Sequence, residues 1–319
     1  PQWRAQRTTA LAAIGWDAAM QKAAERIARV VQTHGADAVG FYVSGQLLTE
    51  DYYVFNKMVK GLIGTNHIDT NSRLCMSSAA HAQARIGVDA PPACYEDIDS
   101  TDCLFIAGSN AAYAHPILFR RIEQARAQRP NLKMVVVDPR KTDTAASADL
   151  HLALTPGTDV TLFCGMLHTM QQQSWLNTAF MAQHTEGFDR IQGLVAQCTP
   201  EHVHKVCGIS PEELHQAARW FAQSPATLSL YCQGLNQSSN GTAKNAALVH
   251  LHLATGHIGR PGAGPFSLTG QPNAMGGREV GGLANLISAH RDMANPQHRQ
   301  EVADLWGVDA VPDKPGKTA

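Results

Sequence analysis

At 319 residues and 44% hydrophobic content, the chain is long enough for two domains and ordinary for globular protein. A formal net charge of -1 gives no reason for nucleic acid or an anionic membrane as partner, and no apolar run reaches the length of a membrane span. The N-terminal stretch lacks the apolar core of a signal peptide. The seven cysteines contain no C-x-x-C pair, so neither a disulfide framework nor a zinc knuckle is indicated and a reducing, cytoplasmic setting is expected.

Apolar residues at Trp16, Met20, Ala23, Ala24, Ile27, Val30 and Val31 recur at helical spacing and predict an amphipathic helix over 17–31, closed by Gly35. A strand over 38–43 follows, and Ser44-Gly45-Gln46 turns into a helix over 49–62. This is half of a βαβ unit, with a turn small enough to let a phosphate approach the backbone. Residues 66–80 then begin polar and end in small residues, with Cys75 at the changeover. A loop opening into a helix over 77–86 brings the Cys75 sulfur to a helix N-terminus, where the local field favours thiolate. Thiolate is the soft donor that heavy transition metals select. A buried free cysteine accounts for the same residue.

After a loop over 89–94, in which Cys94 reads as an ordinary small residue, comes a continuous apolar strand over 102–107. It ends in Gly108-Ser109-Asn110 and is followed by a helix over 116–128. Strands over 133–137 and 150–154 end in Asp138-Pro139-Arg140 and in Thr155-Pro156-Gly157-Thr158-Asp159. Strand, helix and strand with polar residues at each carboxyl end predict an α/β fold: a Rossmann-like doubly wound parallel sheet, plus part of a second α/β domain. Ligands of such sheets bind outside those carboxyl ends.

Residues 161–170 are apolar almost all round and predict a buried helix, and 175–224 is helical and polar, with Ser210-Pro211-Glu212-Glu213 as a helix start. A strand over 227–231 runs into Cys232-Gln233-Gly234, and a helix spans 243–254. Beyond it glycine becomes frequent, yet Phe266, Leu268 and Met275 intervene, so this stretch reads as an ordered loop rather than a linker. His202 with His204 and His250 with His252 are spaced i, i+2 and face opposite sides of a helix, which does not make zinc pairs.

Three strand ends carry candidate chemistry. Gly108-Ser109-Asn110 reads as a phosphate turn, or simply a polar one, and it is not GxGxxG. Asp138 stands where nucleotide folds place a carboxylate on ribose hydroxyls, and it also suits a solvated partner for Arg140. Asp159 can accept both the N1–H and N2–H donors of guanine, or it can cap a helix. Arg278, among small residues, can hold a planar anion with its fork, or pair with Glu279.

The stretch Asn71-Ser72-Arg73-Leu74-Cys75-Met76-Ser77-Ser78-Ala79 resembles the metal-ligand segment of the molybdopterin oxidoreductases, specifically the bacterial nitrate reductases. Residues 155–159 resemble the family's guanine-reading segment, and 264–281 most closely resemble assimilatory nitrate reductases. Formate dehydrogenases of the family typically carry His where this chain has Met76. The resemblance implies a molybdenum bis(molybdopterin guanine dinucleotide), with the metal on Cys75 and with Met76 and Arg278 beside nitrate. It implies cofactor contacts from Gln46, Asn71, Gly108, Ser109, Asn110, Asp138, Arg140, Thr142, Gly157, Thr158, Asp159, Gln233 and Gln237. Periplasmic enzymes tend to carry Thr-Met-Gly where this chain has Cys232-Gln233-Gly234.

An iron–sulfur cluster is expected only in an N-terminal domain that this chain lacks, which makes the chain the central portion of a larger enzyme supplied by an electron donor protein or flavoprotein subunit. The expected domains are 1–74, the first segment of a discontinuous α/β domain; 75–295, the nucleotide domain; and 296–319, the start of the return segment. The rivals are another member of the family, such as a formate dehydrogenase, and an inactive nucleotide-binding fragment.

Overall fold

The structure is a computed structural model that describes residues 1–5, 7–87 and 90–319. The loop expected over 89–94 opens at Asp89, outside the described residues. The chain divides into two compact units: a discontinuous one made of Pro1–Arg73 and Gln271–Ala319, and a continuous one, Leu74–Gly270. Residues 271–295, expected with the nucleotide domain, therefore belong to the discontinuous unit. Hydrogen bonds tie them there. Asn273 Nδ2 donates to Leu47 O at 2.8 Å, and Lys60 Nζ donates to Gly281 O at 2.7 Å and Leu283 O at 2.9 Å.

In the discontinuous unit, β1 (Gln2–Trp3) pairs antiparallel with β2 (Ala12–Ala13). The helix Trp16–His34 forms as its spacing predicts, but none of its residues is buried. The expected strand over 38–43 shortens to β3 (Phe41–Val43), because residues 36–38 form a 3-10 turn. It pairs in parallel with β4 (Ile68–Thr70), a strand inside the stretch read as a polar loop. All three residues of β4 are buried, so tertiary packing overrides their polarity. The helix Thr49–Asn56 passes into a π-helical segment, Lys57–Ile63.

The continuous unit is built on one parallel sheet of five strands, β5 (Cys103–Ala107), β6 (Lys133–Val137), β7 (Leu150–Leu152), β8 (Thr227–Tyr231) and β9 (Gly264–Ser267), in the order β7-β6-β5-β8-β9. The chain starts in the middle, walks to one edge, then returns to build the other side. Period-2 alternation divides β5, β6 and β8 between two cores. Phe105, Ala107, Val135, Val137 and Tyr231 face the helices Asp159–Gln172, Pro211–Gln223 and Gly241–Thr255. Leu104, Ile106, Met134, Val136, Leu228 and Leu230 face the helix Pro116–Gln128. With both faces covered, the sheet is doubly wound and its strands can be apolar throughout. Each fully buried Leu, Ile, Val or Phe contributes about 1.5–3 kcal/mol. The strand β9 lies in the stretch read only as a glycine-rich loop, where Gly264-Pro265 gives no strand signal.

Candidate functional site

The reversal of strand order falls between β5 and β8, and there two glycines touch. Gly234 N–H donates to Gly108 O at 3.0 Å, and a Cβ on Gly234 would stand 2.5 Å from Gly108 Cα. Only bare backbone fits at both positions. Outside the carboxyl ends of β5 to β8 opens a cavity of about 310 Å³, lined among others by Gly108, Asn110, Asp138, Arg140, Gly157, Asp159, Gly234 and Lys244. Six expected site residues thus meet in one place, the crevice where doubly wound sheets take ligands. A larger open groove of about 860 Å³ along the helix Pro116–Gln128 contains none of them.

Their environments differ. Asp138 is buried, and its Oδ1 accepts from the backbone N–H of Arg140 at 2.8 Å, so the pairing is with backbone rather than with the guanidinium. Asn110 Oδ1 accepts from Thr144 Oγ1 at 2.9 Å. Ser109 Oγ is buried with no hydrogen-bond partner among the described residues. Thr142 caps a short helix, accepting from Ala145 N–H at 3.2 Å, and Thr158 Oγ1 donates to Thr155 O at 2.7 Å. Asp159 is the first residue of its helix, after Thr158 at the cap position, so it does not cap it. Its Oδ2 lies 2.6 Å from Lys244 Nζ. Sequence reasoning missed Lys244: a lone lysine at the start of an apolar helix carries no motif, and only the fold brings it to Asp159.

Cys75 is fully buried, and the helix that holds it is Ser72–Gln83, beginning five residues before the expected start at 77. The cysteine therefore sits in the first turn instead of ahead of it, among the N–H groups that lack an intrahelical acceptor. Gln233 Nε2 donates to its sulfur at 3.0 Å, and Thr269 Oγ1 lies 3.5 Å away. Cys232 Sγ–H in turn donates to Gln233 Oε1. Gln233, expected on pterin or phosphate, thus has its amide on the thiol. Gln237 is exposed at the end of the short helix Gln233–Asn236. Met76 is half-buried next to Cys75.

The discontinuous unit holds the other expected residues. Asn71 Oδ1 accepts the N–H of Gly45 at 2.7 Å, tying the turn that carries Gln46 to the segment leading to Cys75. Gln46 is exposed, its N–H donating to Ser44 Oγ at 3.2 Å. Arg278 lies in the helix Ala274–Glu279, where burial lowers its pKa from the ordinary value. Tyr52 packs on Gly277, whose added Cβ would stand 2.8 Å from the ring. Among the described residues no group of three or more His, Cys, Asp and Glu side chains could hold a metal ion, and no helix is long and apolar enough to cross a membrane.

Comparison with known proteins agrees with this architecture. The chain is 48% identical over 309 residues to a nitrate reductase of Synechocystis sp., covering 96% of this chain and 43% of that protein. It is 46% identical over 310 residues to a nitrate reductase of Shewanella frigidimarina, covering 96% and 33%. Formate dehydrogenase H of Escherichia coli is more distant, at 33% identity over 318 residues, covering 99% and 44%. The chain thus spans less than half the length of these curated relatives. The solved structure of an acetylene hydratase from Pelobacter acetylenicus shares the fold with a TM-score of 0.65 at 22% identity, over 77% of this chain and 33% of that one. Residues 3–318 match the family model of the molybdopterin oxidoreductases, and the chain belongs to that family.

Proposed function

We propose that this chain is the cofactor-binding portion of a molybdenum-dependent nitrate reductase. The observation that carries the choice of substrate is the excess of likeness to nitrate reductases over formate dehydrogenase, with Met76 following Cys75. The cavity fits a guanine dinucleotide on the pterin. Gly108, Asn110 and Gly234 bring strand-end backbone and an amide to the cavity wall, where a phosphate would lie, and next to them Ser109 Oγ is buried with no partner among the described residues. Asp138 is at hand for a ribose, and Asp159 for the guanine edge.

When bound, the cofactor supplies oxygen-atom transfer: nitrate loses one oxygen and, with two electrons and two protons, nitrite and water result. The chain's own part is to bind and position. The Cys75 sulfur would hold the metal, and the Gln233 amide, donating to that sulfur, fixes where it stands. Arg278 would hold the planar anion with its fork, and Met76, next to Cys75 in the chain, is the other residue that the resemblance assigns to the substrate. The resemblance assigns pterin contacts to Gln46, Asn71 and Gln237, and Arg140, Thr142, Gly157 and Thr158 would complete the nucleotide site. The electrons come from an iron–sulfur cluster outside this chain, fed by a donor protein or flavoprotein subunit. The seven cysteines are all free, which supports a cytoplasmic location.

Cys75→Ser in the full-length protein tests the reading. Serine changes volume little but offers a hard donor in place of a soft one. Nitrate-dependent oxidation of a reduced viologen and bound molybdenum should both be lost while the circular dichroism spectrum stays that of wild type. Wild-type turnover in the variant would remove Cys75 from the metal. Formate oxidation without nitrate reduction by the wild type would decide for the rival.

A further inference from the structure

We propose that Lys244 reads the 6-oxo group of guanine, so that a buried ion pair, and not the Asp159 carboxylate alone, selects the base. The inference rests on reading the cavity as a guanine-nucleotide site. Lys244 Nζ lies 2.6 Å from Asp159 Oδ2, the two residues are 4% and 6% exposed, and both line the cavity. Lys244 stands in the first turn of the helix Gly241–Thr255. A cation is disfavoured at that end of a helix, where the backbone N–H groups already carry partial positive charge. Nor does stability alone account for the pair, since burying two charges costs about as much as their attraction returns. A pair kept in a cavity wall, against the helix field, has a ligand to meet.

The chemistry of that ligand follows from the order of the groups. Guanine presents an acceptor, O6, then two donors, N1–H and N2–H, along one edge. The pair presents a donor, Nζ, beside two acceptors, Oδ2 and Oδ1. With N1–H on Oδ2 and N2–H on Oδ1, O6 falls on the side where the ammonium stands. An ammonium has three N–H donors, more than one carboxylate oxygen engages. Adenine reverses the pattern, offering an amine to Lys244 and a ring acceptor to Asp159. Two repulsive contacts with a buried ion pair reject it more strongly than the loss of one attraction would.

The test is a binding titration of the cofactor-free protein with four diphosphates: GDP, 6-thio-GDP, IDP and ADP. Replacing O6 by sulfur weakens one acceptor and leaves N1–H and N2–H in place, whereas IDP lacks only the N2 amine. Wild type should prefer GDP over 6-thio-GDP and over IDP, each by about tenfold, and bind ADP weakest. Lys244→Met should lose the discrimination against 6-thio-GDP and keep that against IDP; Asp159→Asn should lose the discrimination against IDP. If Lys244→Met keeps both ratios, or weakens all four ligands equally as a phosphate contact would, the inference is wrong while the guanine reading stands. If wild type does not distinguish GDP from IDP and ADP, the guanine reading itself falls. Should Lys244→Met fail to fold, the wild-type ratio of GDP to 6-thio-GDP decides, and equal affinities overturn the inference.

Discussion

Each unit of the molecule buries a lysine, and the two are compensated by different means. Lys244 meets a full negative charge, Asp159, at the edge of a cavity. Lys60 is fully buried and is held by backbone carbonyls: those of Gly281, Leu283 and Leu286 accept from its Nζ. Asp69 acts on it only through space, its own carboxylate being bound to Arg73 at 2.6 Å. Burial pushes the Lys60 ammonium down to about 7, against the weaker upward pull of Asp69. Carbonyl dipoles fix the position of a cation and, in doing so, gather a loop. A carboxylate offers a charged partner instead. The lysine at the loop is a structural tie, and the one at the cavity is available for recognition.

The sharpest test of that contrast removes the carboxylate. Asp159→Asn leaves Lys244 buried without a counter-charge, so stability should fall by about 3–5 kcal/mol, read as a shift in the urea midpoint. Adding Lys244→Met to Asp159→Asn removes both charges and should recover most of the loss. If the single variant is as stable as wild type, the pair is not a pair, and Lys244 would be as independent of side-chain charge as Lys60. A second test concerns the sheet end that frames the cavity. Gly234→Ala would drive a methyl into the Gly108 backbone, which cannot swing aside as a side chain does. It should cost about 1–3 kcal/mol and weaken GDP binding with it. An unchanged affinity would mean that the close approach at the strand reversal has no bearing on the ligand.

How much of this was legible in the residues follows the same division. The parallel sheet was readable because strands buried on both faces are continuous apolar runs, and β6 and β8 lie where those runs predict. Strand ends in such sheets point to one edge, so Gly108, Asp138 and Asp159 could be expected together. The discontinuous unit was harder. Ile68–Thr70 is a strand because packing makes it one, and the 271–295 segment joins this unit through bonds from Asn273 and Lys60 that leave no periodicity in the sequence. Lys244 and the amide of Gln233 on Cys75 were invisible for a related reason: each is a contact between residues 85 and 158 positions apart, respectively, and has no local signature.

The last effect is one of pH, and it bears on Lys60 alone. In the folded chain this group loses its proton near pH 7, whereas unfolded it returns to its ordinary value of 10.5. Between those values the unfolded state binds the extra proton, so raising the pH favours the folded state, by up to about 1.4 kcal/mol for each pH unit. Below the folded value both states are protonated and Lys60 adds no slope; the gain is complete only near the unfolded value. Deprotonation also leaves an amine with two N–H groups for the three carbonyls that accept from it, so the loop it gathers is held by one bond fewer. Lys60→Met cannot titrate, and it serves as the reference. Urea midpoints measured from about pH 6 to about pH 9 should show wild type gaining on Lys60→Met above pH 7 and keeping a constant difference below it. A difference that stays constant throughout would mean that Lys60 keeps its proton across the whole range and that the three carbonyls compensate its charge in full.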